Sequence, residues 1–302
     1  MKLLTKFTPI AATLLVSLGA HAEESKLSVS GFIDMSTVYT STDDDSSSVM
    51  GVDQVEIDFG YKVDDKLSTT LEVEYQENGV DVEQAFLSYA VSDAVSLKAG
   101  RFLSYSGFEA EEPTGLYQYS GTGYAPLFYG YYQQGVSASY SGSNYTLAIS
   151  VVNDLAGPTA TDTSIPGIET MVALMPTDEI TVKGFYSVEG DKSFINLWSS
   201  YSKGALTLGA EFNSASDSET DTDSTGYLAM VNYAFDEKIG VTLRYHAYET
   251  EVADITTTDN SGITLAPSYT VSDNVLIVAE YRMDDMGGAD KNTFALEALV
   301  TF

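Results

Sequence analysis

Asp64-Asp-Lys-Leu-Ser-Thr-Thr-Leu-Glu-Val-Glu-Tyr75 decides the fold. A polar turn runs into a segment where Leu67, Thr69, Leu71, Val73 and Tyr75 share one face, and Ser68, Thr70, Glu72 and Glu74 the other. That is the period of a β-strand. Its length is close to the ~9–11 residues with which a tilted strand crosses a hydrocarbon layer. The pattern recurs. Ile239 to Ala247 sets Arg244 and His246 opposite Val241, Leu243 and Tyr245, and Val55 to Val63 sets Ile57, Phe59 and Tyr61 against Glu56, Asp58 and Lys62. A soluble β-sandwich also alternates, so periodicity alone leaves both architectures open.

The turns separate them. Short polar turns recur at 64–66, 92–93, 141–144, 176–178, 202–204, 236–238 and 272–274, with longer polar connections at 43–48, 103–133, 154–166, 214–224 and 250–260. Short turns on one side and long loops on the other are the layout of an outer-membrane barrel. Seven short turns divide the chain into eight hairpins, hence an all-β, antiparallel transmembrane barrel of sixteen strands, with fourteen as the alternative. The expected domain plan is a signal peptide over 1–22 and one barrel over 23–302, with the long loop at 103–133.

The N-terminus fits export. Lys2 and Lys6, the apolar run Ile10 to Leu18 and the Ala20-His21-Ala22 box order themselves as a cleavable signal, leaving Glu23 first. No later segment approaches the ~18 uncharged apolar residues of a spanning helix. Without Lys2 and Lys6 the chain carries 12 bases against 44 acids, a charge of −32. Such acidity excludes nucleic acid as a partner, because that affinity comes from Lys and Arg neutralising phosphates. It also directs a water-filled interior towards cations. Disorder, the usual reading of an acidic chain, fails against 44% hydrophobic and 12% aromatic residues.

The C-terminus adds a separate signal. Counting back from Phe302, the positions Val300, Ala298, Leu296 and Phe294 are all apolar, while Thr301, Glu297 and Thr293 take the other parity. A terminal aromatic preceded by alternate apolar residues resembles the signature by which barrel assembly machinery recognises outer-membrane barrels. Gly115-Leu-Tyr-Gln-Tyr-Ser-Gly-Thr-Gly-Tyr-Ala-Pro-Leu-Phe-Tyr-Gly-Tyr-Tyr-Gln-Gln-Gly-Val-Ser-Ala-Ser-Tyr140 resembles the tyrosine-rich region of the OmpL-like β-barrel porin family. Leu97-Lys-Ala-Gly-Arg-Phe102 resembles the strand that enters the internal loop of porins. The resemblance implies a Gram-negative outer-membrane location among lipid and lipopolysaccharide, and a channel for passive diffusion of small hydrophilic solutes. A homotrimer is implied at family level only. General porins line their constriction with an arginine ladder facing acids; with twelve bases here, a dense ladder is not expected.

The 103–133 connection holds nine aromatics, among them Tyr105, Tyr117, Tyr119 and Tyr124. A structureless loop of that length is uncommon unless functional or disordered, and the aromatics argue against disorder. Folded into the lumen it is a constriction; folded outwards it is a cap or part of the aromatic girdle. Glu109, Glu111 and Glu112 open the loop, and Lys98 and Arg101 precede it. Opposed across a narrowing they set a transverse field; otherwise they form a solvated acidic turn. Inward parity gives Asp34, Glu56, Asp58, Glu72, Glu74, Glu211, Glu280 and Glu297 against Lys183, Arg244 and Arg282. A one-residue slip or a bulge inverts such assignments.

His246 is the sole histidine of the mature chain and has no Gly-x-Ser-x-Gly elbow to serve. A pore-lining role is the better reading, and no catalytic residue is expected. Asp43-Asp44-Asp45 and Asp284-Asp285 lack the spacing and glycine of an EF-hand loop, so neither metal nor cofactor is expected there. The rival functions are a plugged barrel acting as a receptor and, behind it, an outer-membrane hydrolase.

Overall fold

A computed structural model describes residues 26–76, 79–155, 157 and 165–302. The expected signal segment 1–22, its cleavage point before Glu23 and most of 154–166 lie outside the described residues.

The strands are β1 (Leu27–Thr42), β2 (Ser46–Lys62), β3 (Leu67–Gln76), β4 (Gly79–Ala90), β5 (Val95–Leu103), β6 (Tyr132–Ser141), β7 (Tyr145–Val152) and β8 (Gly167–Thr177). They continue as β9 (Ile180–Glu189), β10 (Lys192–Lys203), β11 (Leu206–Asp217), β12 (Thr222–Ala234), β13 (Ile239–Val252), β14 (Ile255–Ser272), β15 (Val275–Met286) and β16 (Asp290–Thr301). Each pairs antiparallel with its neighbour in sequence, and β1 pairs with β16 to close a sixteen-strand barrel. Closure leaves no edge strand, which is what lets a sheet exist in lipid. Among the described residues no helix is long and apolar enough to cross a membrane.

The barrel is inverted relative to a soluble protein. Leu71, Leu147, Ile149, Leu197, Leu243 and Leu265 face outwards, while Glu74, Asn196, Glu211, Arg244, Thr264 and Glu280 are buried within. Tyr61, Tyr89, Tyr140, Tyr233 and Tyr269 lie near the short-turn ends with exposed rings, the place of an interfacial girdle. The turns are stapled locally: the Asp64 carboxylate accepts from the amides of Lys66 and Leu67, and Asp236 from those of Lys238 and Ile239. These Asx turns explain why Asp-x-Lys recurs at the short ends.

Three of the expected long connections are short. β1 and β2 leave only 43–45 between them, β11 and β12 leave 218–221, and β13 and β14 leave 253–254. Their Thr- and Ser-rich flanks pair as ladder, since β-branched Thr suits a pleated surface. Ala253 and Asp254 both take positive φ (50° and 62°), as a two-residue hairpin turn of the primed type requires. The exception is the connection between β5 and β6. It runs over 104–131, slightly shorter than the expected 103–133, and contains a 3-10 turn at Pro113–Gly115 and α1 at Ala125–Phe128.

Two β-bulges bear on the interior. Asp34 pairs with Gln54 and Met35 with Val52, so Asp53 is the extra residue on β2; Glu72 pairs with Gln84 and Val73 with Val82, so Glu83 is the extra residue on β4. A bulge re-aims the side chain it inserts. Glu83 is buried beside inward Gln84, between the exposed Val82 and Ala85.

Candidate functional site

The 104–131 connection binds the inner wall all round the barrel. Beyond β6, the Tyr105 amide donates to Glu169 of β8 (3.1 Å), the Gly107 amide to Asn196 of β10 (3.1 Å) and the Phe108 amide to Glu211 of β11 (2.8 Å). Ser104 also donates to Glu169, and Tyr124 and Tyr129 both donate to Glu211. Further round, Thr242 of β13 donates to the Tyr117 carbonyl (2.9 Å), and Ser120 donates to Glu280 of β15 through its amide (3.0 Å) and hydroxyl (2.6 Å). On the other side of the closure, Tyr119 meets Ser36 of β1 (3.1 Å) and Asp53 of β2 (3.2 Å), and Gln54 donates to Glu112 (2.9 Å). A segment bonded to β1, β2, β8, β10, β11, β13 and β15 lies across the lumen.

Its apolar side chains have a seat. Tyr124 and Phe128 pack with inward Leu228 and Met230 of β12, flanked by Phe108, Tyr117, Tyr129 and Tyr248. Tyr124 meets Phe128 edge-on with centroids 5.4 Å apart, a favourable aromatic geometry. Glycines make room. A Cβ on Gly226 would lie 2.6 Å from Phe128 Cε2, and one on Gly209 would overlap the Phe108 ring. Burial pushes the Tyr119 phenol up to about 12 and raises those of Tyr105 and Tyr117. These hydroxyls therefore stay neutral donors, and the charge of the connection comes from Glu109, Glu111 and Glu112.

Glu109 sits at the centre of one polar knot. It ion-pairs with Arg244, which is fully buried, and accepts from Gln118 (2.9 Å) and the Thr122 amide (2.7 Å). Arg244 also donates to the Ser120 carbonyl (2.6 Å), and Arg282 donates to the carbonyls of Gly121 (2.5 Å) and Thr122 (2.9 Å) and to Asp284 (2.8 Å). The two arginines expected to line the pore are thus engaged in holding the connection. Lys98 lies against aromatic rings, 4.6 Å from the Phe86 centroid and 5.6 Å from Tyr105; Lys183 lies 4.8 Å from Trp198. Arg101 does not join Lys98. Three residues apart on β5, the two take opposite strand parity, and the Arg101 guanidinium reaches the Tyr132 ring at 5.8 Å.

The acids gather elsewhere. Asp34, Glu56, Glu74, Glu83 and Glu297 are buried on the adjoining β16, β1, β2, β3 and β4. Among the described residues none of Asp34, Glu56, Glu83 and Glu297 has an ion pair with Lys or Arg. Glu72 accepts from Gln84, and Glu111 is exposed. Burial raises the carboxyl of Glu112, which belongs to the connection and not to a strand. His246 is buried with Nε2 3.7 Å from Asp284 and 3.4 Å from Arg282; no serine is among its bonded or ring partners. A cavity of about 420 Å³ opens on the short-turn side, lined in part by Lys98, Tyr105, Ser137 and Met171.

Sequence reasoning did not single out Asp53, Glu83, Glu169, Asn196, Gly209 or Gly226. The parity of β8 and β10 already placed Glu169 and Asn196 inwards. Asp53 and Glu83 owe their roles to bulges, and the two glycines to rings distant in sequence.

No curated protein sequence gives a match. Solved structures do. The chain is similar to an anion-selective porin from Comamonas acidovorans, at 13% identity over 91% of this chain and 99% of that one, with a TM-score of 0.71. It is similar to the outer membrane channel DcaP of Acinetobacter baumannii, at 14% identity over 91% and 97% of the chains, TM-score 0.70. It is also similar to the trimer form of OmpT, an outer membrane protein of Vibrio cholerae, at 14% identity over 91% and 99%, TM-score 0.69. At such identities these likenesses show the fold. The family model for beta-barrel porin-2, OmpL-like, matches residues 33–302. The chain therefore belongs to the OmpL-like beta-barrel porin-2 family, and is a porin-like outer-membrane barrel.

Proposed function

We propose that the barrel is a passive, water-filled pore for small hydrophilic solutes, that it prefers cations, and that its site is the constriction where the 104–131 connection meets the acid-rich wall. The observation that carries this reading is the unequal engagement of the charges. Arg244 and Arg282 are taken up by the connection, and Lys98 and Lys183 rest on aromatic rings. Among the described residues, Asp34, Glu56, Glu83 and Glu297 ion-pair with no Lys or Arg. The field left over in the lumen is negative, and low-dielectric walls focus it.

The breadth of contact made by the connection favours a second reading, a plugged barrel serving as a receptor. Single-channel recording in planar bilayers separates the two. An open pore gives stepwise conductance, and under a KCl gradient its reversal potential reports K⁺ over Cl⁻. The preference weakens in concentrated salt, because the Debye length falls from ~30 Å at 0.01 M to ~3 Å at 1 M. Anion preference at low salt would show that the bases govern the lumen, and absence of steps would favour the plug. A homotrimer completes the proposal, and cross-linking in native membranes tests it.

A further inference from the structure

Three carboxylates inside the barrel stand closer together than a negative field in the lumen requires. Glu56 of β2, the bulge residue Glu83 of β4 and Glu112 of the connection each direct one oxygen into a group whose members all lie within 4.8 Å of one another. Glu56 is 4% exposed and Glu83 6%, and the Oε2 atom of each is buried without a hydrogen-bond partner. No Lys or Arg among the described residues ion-pairs with any of the three. Buried polar atoms are almost always satisfied, so two buried carboxylates that each keep an unpartnered oxygen and converge with Glu112 call for an occupant.

We infer that Glu56, Glu83 and Glu112 form a binding site for one divalent cation of the Ca²⁺ type. Ca²⁺ takes oxygen ligands at ~2.3–2.6 Å, so two of its ligands stand no more than about 5 Å apart, and all three carboxylates meet that condition. The donor set is all oxygen, without the His or Cys that would favour a transition metal. Mg²⁺ suits the site less well, because it demands near-ideal octahedral geometry and dehydrates reluctantly. Glu112 is already oriented as metal ligands are: Tyr132 donates to its Oε1 (2.6 Å) and Gln54 to its Oε2 (2.9 Å). Asp58 and Glu72 form a second group with Glu56 and deepen the negative potential beside it; Asp58 Oδ1 also lacks a partner. A bound ion would tie the connection to the β2–β4 wall. That consequence is independent of whether the barrel conducts.

The test is calorimetric titration of the chelator-stripped barrel in detergent with CaCl₂, in enough KCl to screen loose binding to the acidic surface. The wild type should take up a saturable equivalent of Ca²⁺. Glu83→Gln and Glu56→Gln, which keep size and remove charge, should each lower its affinity at least tenfold. The triple change Asp43→Asn, Asp44→Asn, Asp45→Asn, in the β1–β2 turn, should leave that equivalent in place. Terbium should report the same site by tyrosine-sensitised emission that CaCl₂ competes away and that Glu83→Gln weakens. Heat-dependent gel mobility verifies that each variant is a folded barrel. Equal Ca²⁺ uptake by wild type and both Gln variants overturns the site. So does the absence of any saturable equivalent between pH 5 and 9, which would mean that protons neutralise the group.

Discussion

At the scale of single residues, the lumen is set by side chains whose partners lie far away in sequence. Gly226 shows this. Only a hydrogen fits between its backbone and Phe128, so Gly226→Ala must move the ring or the strand. Overpacking of this kind costs about 1–3 kcal/mol. The thermal midpoint in detergent should fall and conductance should rise as the connection loosens; a variant unchanged in both would show that the ring is not seated there. Glu112 supplies a pH dependence. Burial raises its carboxyl above the usual range, so the protonated form favours the docked connection. Its contribution to docking is complete below the ordinary carboxylate pKa and is lost as pH rises through the raised value. In the presence of chelator, acidification from pH 8 to pH 4 should therefore reduce both conductance and cation preference, as single-channel recording can check. Rising conductance on acidification would contradict this sign. Glu112 was legible in the sequence as part of an acidic trio, but its bonds to Gln54 and Tyr132 were not, because nothing local encodes them.

At the scale of elements, alternation and Asx turns were legible because both are local. The sixteen strands follow from the seven short polar turns and the period of two, and the residues given inward parity include Glu56, Glu74, Glu211, Arg244 and Glu280, all buried. The bulges at Asp53 and Glu83 were not legible, since a bulge depends on the partner strand's register. The extent of hairpins such as β13–β14 was hidden by their Thr- and Asp-rich composition, which suits solvated strands as well as loops. The seam between β1 and β16 carries a further prediction. Phe302 exchanges backbone hydrogen bonds with Gly31 (3.0 and 3.1 Å), and its ring occupies the place of a Gly31 side chain. Phe302→Ala should slow assembly, measured as the rate at which the heat-sensitive folded form appears, while the barrel that does form keeps its conductance. An unchanged assembly rate would remove Phe302 from that role.

At the scale of the molecule, a sixteen-strand barrel is wide enough to hold an aqueous channel, whereas eight strands would be filled by their own side chains. In the proposed reading it is narrowed by the 104–131 connection, which bonds to β1, β2, β8, β10, β11, β13 and β15. Arg244 and Arg282 bond to it, and in the proposed reading the acids are left to set the field. Long connections tolerate replacement better than strands do, so the barrel should survive removal of this one. The most direct measurement is single-channel conductance after residues 105–131 are replaced by a short Gly/Ser link. The account predicts a folded barrel with higher conductance that admits larger sugars and still prefers cations. A folded barrel whose conductance and solute cut-off equal those of the wild type would contradict it and place the constriction among the strand side chains.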